Sequence, residues 1–402
     1  MSAHTSDVLI VGGGLMGTST AFFLRRRGMS VTLLERGLVG QQASGTNFGN
    51  VRRQARYLLQ LPLANRSLGI WQRLPELIGE DLEFLPSGHI RVAYTQDQAG
   101  VLEQYARDAR DYGLELELIG GAALRARYPF LGPEVRAASL SPHDGHANPR
   151  LAAPAFGRAA IRAGAHIAEN TEVLEVARDG TAFRASCADG RVYRAPVALI
   201  ASGAWGDRMS AAFGEPVPLT ARGPQMAVTE PVPYRIGPTV GVASQLLQET
   251  IYFRQIKRGN IIFGGCGRGP AYPDLRRAYV LPEHTLTQFD QLKRLAPAVA
   301  RLNIIRVWSG IEGYMDDNLP VMGASRAVSG LYYAFGFSGH GFQLGPGVGD
   351  VMAELIATGN TSTPIAPFDI GRFAAASKEL PARATTGTQS PAGSAAVPCQ
   401  QR

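Results

Sequence analysis

The chain has 402 residues, 45% of them hydrophobic and 18% charged, the profile of a folded protein with room for two domains and a large core. Its formal charge is +7, but only Lys257, Lys293 and Lys378 are lysines, the arginines are scattered, and no basic run is interleaved with aromatics, which argues against a nucleic-acid partner. Cys187, Cys266 and Cys399 are too dispersed for a disulfide framework or a Cys-x-x-Cys site, and the histidines lack metal-ligand spacing, so no metal is expected.

The first element in chain order is the most specific. Asp7 to Gly17 reads Asp-Val-Leu-Ile-Val-Gly-Gly-Gly-Leu-Met-Gly, an apolar strand running into a glycine triplet. A helical stretch follows, then a second strand, Ser30 to Leu34, ending on Glu35. This strand–turn–helix–strand–acid unit binds the ADP half of a dinucleotide. Gly12 permits the tight turn, Gly14 admits the pyrophosphate to the backbone, and Gly17 lets the helix pack closely on the sheet. Glu35 stands 18 residues past Gly17, where an acid accepts from the adenosine ribose. Nothing before the strand resembles a secretory signal and no apolar run is long enough for a membrane span, so a cytoplasmic location is expected.

Further along, Leu61 to Leu77 reads as helix, Gly88 to Tyr94 as strand, and Gln98 to Tyr112 and Ala122 to Tyr128 as helices. Asp144 to Pro149 is a turn before a helix from Arg150 to Ala163. Ala165 to Ala168, Glu172 to Arg178, Arg191 to Tyr193 and Ala198 to Ser202 are strand-like. Gln225 to Val228, Glu249 to Arg254 and Asn260 to Gly265 suggest an antiparallel sheet, followed by a helix, Leu286 to Leu295, and a strand, Ile304 to Trp308. Leu331 to Ala334 and a helix from about Val348 to Ala357 return to the nucleotide fold, and residues 375–402 have the composition of a disordered tail. The expected division assigns residues 1–85, 142–222 and 307–374 to a cofactor domain, with 86–141 and 223–306 forming an inserted substrate domain.

Four further stretches accompany the dinucleotide unit: Gly40 to Arg52, rich in small residues; Ala201-Ser202-Gly203-Ala204-Trp205; Trp308-Ser309-Gly310 with Asp317 to Gly323; and Phe335 to Gly347, containing Gly339-His340-Gly341-Phe342-Gln343. In this order they resemble the glycine/D-amino-acid oxidase (DAO) family of FAD enzymes, sarcosine-oxidase-like branch, over about Asp7 to Ala357. The resemblance implies an α/β fold (α+β overall), a Rossmann-like FAD-binding domain with an inserted antiparallel-sheet substrate domain. It implies hydride transfer from the C–N bond of a small amino or imino acid (a D-amino acid, hydroxyproline, an opine or a sarcosine-like secondary amine) to flavin N5, with hydrolysis of the imine. FAD contacts are expected from Gly12, Gly14, Gly17, Glu35, Ser44, Gly45, Val173, Gly203, Trp205, Gly310, Gly339, Gly341, Phe342 and Gln343.

Arg52, Arg53 and Arg56 follow the small-residue loop, and Arg254 stands beside Tyr252 on the inserted sheet. Arginine's planar fork suits a substrate carboxylate, so Arg52 and Arg254 are expected to bind it, and either alanine substitution to raise KM. Tyr252 closes the pocket by hydrogen bonding or by packing, and His340 either handles a proton or positions by hydrogen bonding. No general base stands out, which leaves positioning and flavin electrostatics as the source of catalysis.

No cysteine falls in the flavin-face motif, so the FAD is expected to be non-covalent. The strand Asn260 to Gly265 lacks the lysine with which oxidases of the branch activate oxygen, and Glu312-Gly313 replaces the usual arginine–proline pair. This pattern is similar to the β-type subunits of hetero-oligomeric sarcosine, opine and hydroxyproline dehydrogenases, and it implies a dehydrogenase with partner subunits or an electron-acceptor protein. A flavin-carrying relay subunit, or another flavin or nicotinamide reaction on the same fold, is the alternative reading.

Overall fold

All four side chains of the strand Val8–Val11 are buried in the computed structural model, whose described residues are 4–374. Successive strand side chains point to opposite faces. Val8 and Ile10 enter one core, Leu9 and Val11 another. A strand buried on both faces belongs inside a parallel sheet. It lies in a six-stranded one, ordered Val321–Ala324, Leu331–Phe335, Val197–Ile200, Val8–Val11, Val31–Leu34, His166–Ala168, parallel except for the first pair.

Helices Leu15–Arg26, Pro149–Arg162 and Gly341–Thr358 cover the Val8/Ile10 face, and Leu61–Trp71 packs outside the last of these. On the Leu9/Val11 face lies a four-stranded sheet of His4–Thr5, Val192–Ala195, Ala182–Cys187 and Val173–Asp179.

The second large sheet has ten strands, eight of them in the order Ile304–Ser309, Leu219–Pro231, Asn260–Tyr272, Ile251–Gln255, Thr239–Val242, His89–Ala93, Ala137–Ser141, Glu117–Gly120. Glu312–Met315 and Arg277–Ala278 join its long strands. Its period-2 alternation separates core from site. Ile90, Val92, Ile251 and Phe253 enter a core closed by Leu292 and Leu295 of the helix Pro282–Leu295, while His89, Arg91 and Tyr252 line the other side.

Several sequence expectations are corrected here. The strands expected at Gln225 to Val228 and Asn260 to Gly265 are each 13 residues long, at Leu219–Pro231 and Asn260–Tyr272. The expected divisions at 222/223 and 306/307 therefore fall inside Leu219–Pro231 and Ile304–Ser309. The helix Leu61 to Leu77 is two, Leu61–Trp71 and Leu74–Ile78, with Pro75 in the first turn of the second. The last helix starts at Gly341 rather than near Val348, although it carries Pro346.

Tertiary hydrogen bonds explain that tolerance. Ser67 Oγ and Trp71 Nε1 both donate to Gln343 O, at 2.5 and 2.8 Å, and Gly347 N–H donates to Ser67 Oγ at 3.0 Å. The backbone groups loosened by the proline are satisfied from the neighbouring helix. Among the described residues no helix is long and apolar enough to cross a membrane. The expected tail, 375–402, lies outside the described residues.

Candidate functional site

A cavity of about 810 Å³ runs from the amino-terminal glycine turn to the start of the helix Gly341–Thr358. At its nucleotide end, Gly12 adopts φ +112°, and a Cβ there would sit 2.4 Å from the Ala201 carbonyl oxygen. Gly14 caps the helix Leu15–Arg26, and Leu15 N–H donates to Ser44 Oγ at 2.8 Å, tying the small-residue loop to the helix N-terminus. Gly14 and Ser44 line the cavity; Gly17 and Gly45 do not. Those two are packing glycines, whose Cβ atoms would fall 2.0 Å from Gly12 O and 2.4 Å from Gly40 O.

Glu35 accepts from Gly13 N–H at 2.6 Å and from Gly37 N–H at 2.7 Å. Each carboxylate oxygen keeps a second lone pair, the capacity a ribose diol needs. Val173, Gly203 and Trp205 line the same end, where the Arg36 guanidinium stacks 4.6 Å from the Trp205 ring and pairs with Glu172 at 3.6 Å. Arg36 and Glu172 escaped the sequence reading; their only signal was adjacency to residues already chosen.

Gly310, Gly339, Gly341, Phe342 and Gln343 line the far end. Trp308 Nε1 donates to Thr46 O at 2.8 Å, and a Cβ on Gly310 would lie 2.0 Å from Thr46 Oγ1. The sheet thus clamps the small-residue loop, leaving no space for a larger residue at 310. Asn50 Oδ1, Ser202 Oγ and Gln343 Oε1 are buried without a partner among the described residues, and all three residues line the cavity. Buried polar atoms are normally paired, so a long polar cofactor fits here: an adenosine diphosphate at the glycine turn and a flavin ring at the helix start.

Arg52, Tyr252 and His340 line the ring end; Arg254 does not. The expectation that Arg254 meets substrate is corrected. Its Nε donates to Phe48 O at 2.8 Å, its Nη1 to His146 Nδ1 at 2.9 Å, and its guanidinium lies 5.3 Å from the Phe48 ring. It holds the small-residue loop from behind. Arg53 also turns away, paired with buried Asp144 at 3.2 Å, whereas Arg56 lines the cavity.

Among the described residues the Tyr252 hydroxyl donates to the Met226 thioether, at 3.8 Å, and burial raises its pKa, so it is a neutral donor. Arg56 Nη1 donates to His340 Nδ1 at 3.3 Å, which leaves the His340 proton on Nε2. Burial, with Arg52, Arg56 and Arg268 nearby, holds His340 well below the usual imidazole range. It is a neutral hydrogen-bonding group at pH 7.

Glu312 also lines the cavity, accepting from Tyr314 Oη at 2.6 Å and Gly339 N–H at 2.9 Å; burial raises its pKa. The sequence marked Glu312 as a departure from the family pattern without giving it a role. His89 and Arg91, also lining, were missed; alternation of apolar and polar residues along His89–Ala93 was the available signal.

Burial is the main cause that depresses His89, His340 and His146, the last to about 3. Unfolding returns each to about 6.5, so the unfolded chain binds more protons between these values. Their stabilising contribution is complete above pH 6.5 and lost as pH falls below it, for His146 towards 3. Urea unfolding from pH 7 to 5 is expected to show declining stability, by at most about 1.4 kcal/mol per pH unit for each imidazole. His146→Gln should flatten that decline; an unaltered slope refutes the assignment for His146.

The glycine turn, ribose acid, clamped loop and helix N-terminus around one elongated cavity define a flavin-dependent oxidoreductase. Residues 7–355 match the family described as FAD dependent oxidoreductase (DAO), and the chain belongs to it. It is 29% identical over 383 residues to a glycine oxidase of Geobacillus kaustophilus (strain HTA426), covering 92% of this chain and 97% of that one. To a sarcosine oxidase subunit beta of an Arthrobacter species it is 26% identical over 377 residues, 91% of each. The crystal structure of an L-proline dehydrogenase from P. horikoshii superposes with a TM-score of 0.86 at 27% identity, covering 93% of this chain and 99% of that one.

Proposed function

We propose that this protein dehydrogenates the C–N bond of a small amino or imino acid, using non-covalently held FAD and passing the electrons to an acceptor other than oxygen. The single observation that carries the reading is the meeting of Arg52, Tyr252 and Glu312 on the cavity wall beside the Gly339–Gln343 segment. Bound FAD supplies the two-electron acceptor, and the imine left behind hydrolyses in water.

The chain's own groups do the rest. Arg52 and the Tyr252 hydroxyl would bind the carboxylate, which fixes the substrate at the helix end of the cavity. Glu312, whose buried carboxyl is more basic than usual, accepts the proton that the substrate ammonium must lose before its lone pair can assist hydride departure. Backbone N–H groups at the start of Gly341–Thr358 would offset negative charge on a flavin held there.

Neither Cys187 nor Cys266 lines the cavity, in keeping with non-covalent attachment. No lysine is among the described lining residues, in keeping with an acceptor other than oxygen. Likeness to a sarcosine oxidase subunit beta favours a partner subunit as the electron outlet. The test is anaerobic mixing of the purified holoprotein with glycine, sarcosine, proline, hydroxyproline, opines and D-amino acids. Bleaching of the flavin bands by one of them, slowed in Glu312→Gln, is expected; silence across the panel overturns the proposal in favour of an electron-relay subunit.

A further inference from the structure

The ring end of the cavity holds more positive charge than one carboxylate uses. Arg52, Arg56 and Arg91 line it, and none makes an ion pair among the described residues. The nearby carboxylates are already engaged: Asp144 accepts from Arg53 N–H at 2.7 Å, Gln54 N–H at 3.0 Å and Arg53 Nε at 3.2 Å, and Glu312 accepts from Tyr314 Oη and Gly339 N–H. Burial lowers all three arginines, Arg91 to about 10 and Arg56 to about 9, with Arg52 the repelling neighbour in both cases. They still carry full charge at pH 7. Asp144 attracts Arg52 and Arg56, but confined like charges that outnumber their counter-ions are costly, and a bound anion is the usual compensation.

Arg56 is committed to Arg52 O at 2.8 Å and to His340, and Arg52 spends one donor, Nη1, on Gln54 O, so that Arg52 and Arg91 keep open capacity. Arg91 spends one donor on Val242 O at 3.0 Å. His89 stands two residues before it on the same strand face. Gln54 Nε2 donates to His89 Nδ1 at 3.0 Å and to His89 O at 2.8 Å, while Gln54 Oε1 accepts from Ser139. That arrangement fixes the His89 proton on Nε2. Arg91 and His89 are therefore a second set of donors, on a different element from Arg52.

We infer that the substrate is an amino or imino dicarboxylate, its α-carboxylate held by Arg52 and Tyr252 and its second carboxylate by Arg91 and His89. The inference rests on the amine-dehydrogenase reading above and narrows it. Glycine, sarcosine and proline lack the second group, so they leave Arg91 uncompensated.

The holoprotein is mixed anaerobically with aspartate, glutamate (both enantiomers), iminodiacetate and N-carboxyalkyl amino acids, and with the monocarboxylates. The best dicarboxylate is expected to bleach flavin with at least about tenfold higher efficiency than any monocarboxylate, the gain of one charge-assisted contact. Arg91→Met should bring that ratio towards one, and Arg91→Lys should restore part of it. A monocarboxylate that matches or exceeds every dicarboxylate overturns the inference and leaves the amine-dehydrogenase reading standing. So does a ratio indifferent to Arg91→Met. If nothing bleaches, that broader reading fails, and titration of the flavin spectrum decides the narrower one: glutarate binding no tighter than acetate overturns it.

Discussion

Gly12→Val is expected to yield protein that has lost its flavin. A Cβ at this position meets a backbone carbonyl, Ala201 O, at 2.4 Å, and the φ of +112° is one that a β-branched residue resists. Neither problem can be relieved by a side-chain rotation. Gly12 N–H also donates to Leu34 O at 2.9 Å, so the turn cannot retreat without opening the parallel sheet. Strain and clash together cost about 3 kcal/mol or more. FAD affinity should fall by about a hundredfold or more, read as the visible-to-ultraviolet absorbance ratio after gel filtration, with a lower Tm. Stoichiometric FAD at unchanged Tm would show that the turn does not approach the cofactor as described.

Arg52→Met and Arg254→Met should fail in different ways, although the sequence places both arginines in one role. Losing Arg52 removes the guanidinium from the cavity wall, and kcat/KM should drop by about a hundredfold, chiefly through KM, the worth of roughly 2.7 kcal/mol. FAD content should hold. Losing Arg254 strips Phe48 O and His146 of their donor behind the loop. That leaves buried acceptors unpaired and costs on the order of 2 kcal/mol of stability. Its signature is slow loss of FAD on dilution and a lower Tm, with kcat/KM of the reloaded protein within about threefold of the parent. The opposite pattern would restore Arg254 to the substrate and remove Arg52 from it.

The pair illustrates how far a linear reading reaches. Tyr252 and Arg254 sit two apart on one strand, so period-2 logic puts them on the same face, and it does. What period-2 logic cannot supply is the loop that arrives over Arg254. Phe48 and His146 come from distant segments joined through the short pairing of Asn50–Val51 with Gly145–His146. Arg53 is diverted likewise, by an Asp144 that lies 91 residues away. Arg91 and His89 were invisible for the converse reason. Their strand read as one more piece of sheet, and only its neighbours in space give those two side chains a cavity to face.

The glycine-rich final segment teaches the same lesson for secondary structure. Gly345, Pro346 and Gly347 argue locally for a loop, yet the helix runs through them because Ser67 and Trp71 satisfy its backbone. Local propensity yields where tertiary partners pay the hydrogen-bond debt.

By itself the sequence determined the cofactor class and the mixed α/β plan of parallel and antiparallel sheets. Glycines at fixed offsets, the acid at the second strand's end and the ordered later motifs answer to backbone geometry, which is local and written in residue identity. The tertiary structure alone decided which arginines line the cavity, how the protons of His89 and His340 are placed, and that Arg52, Arg56 and Arg91 share one cavity without an ion pair among the described residues. Those properties belong to charges and donors far apart in the chain, whose burial and mutual distance exist only once the two sheets close on each other.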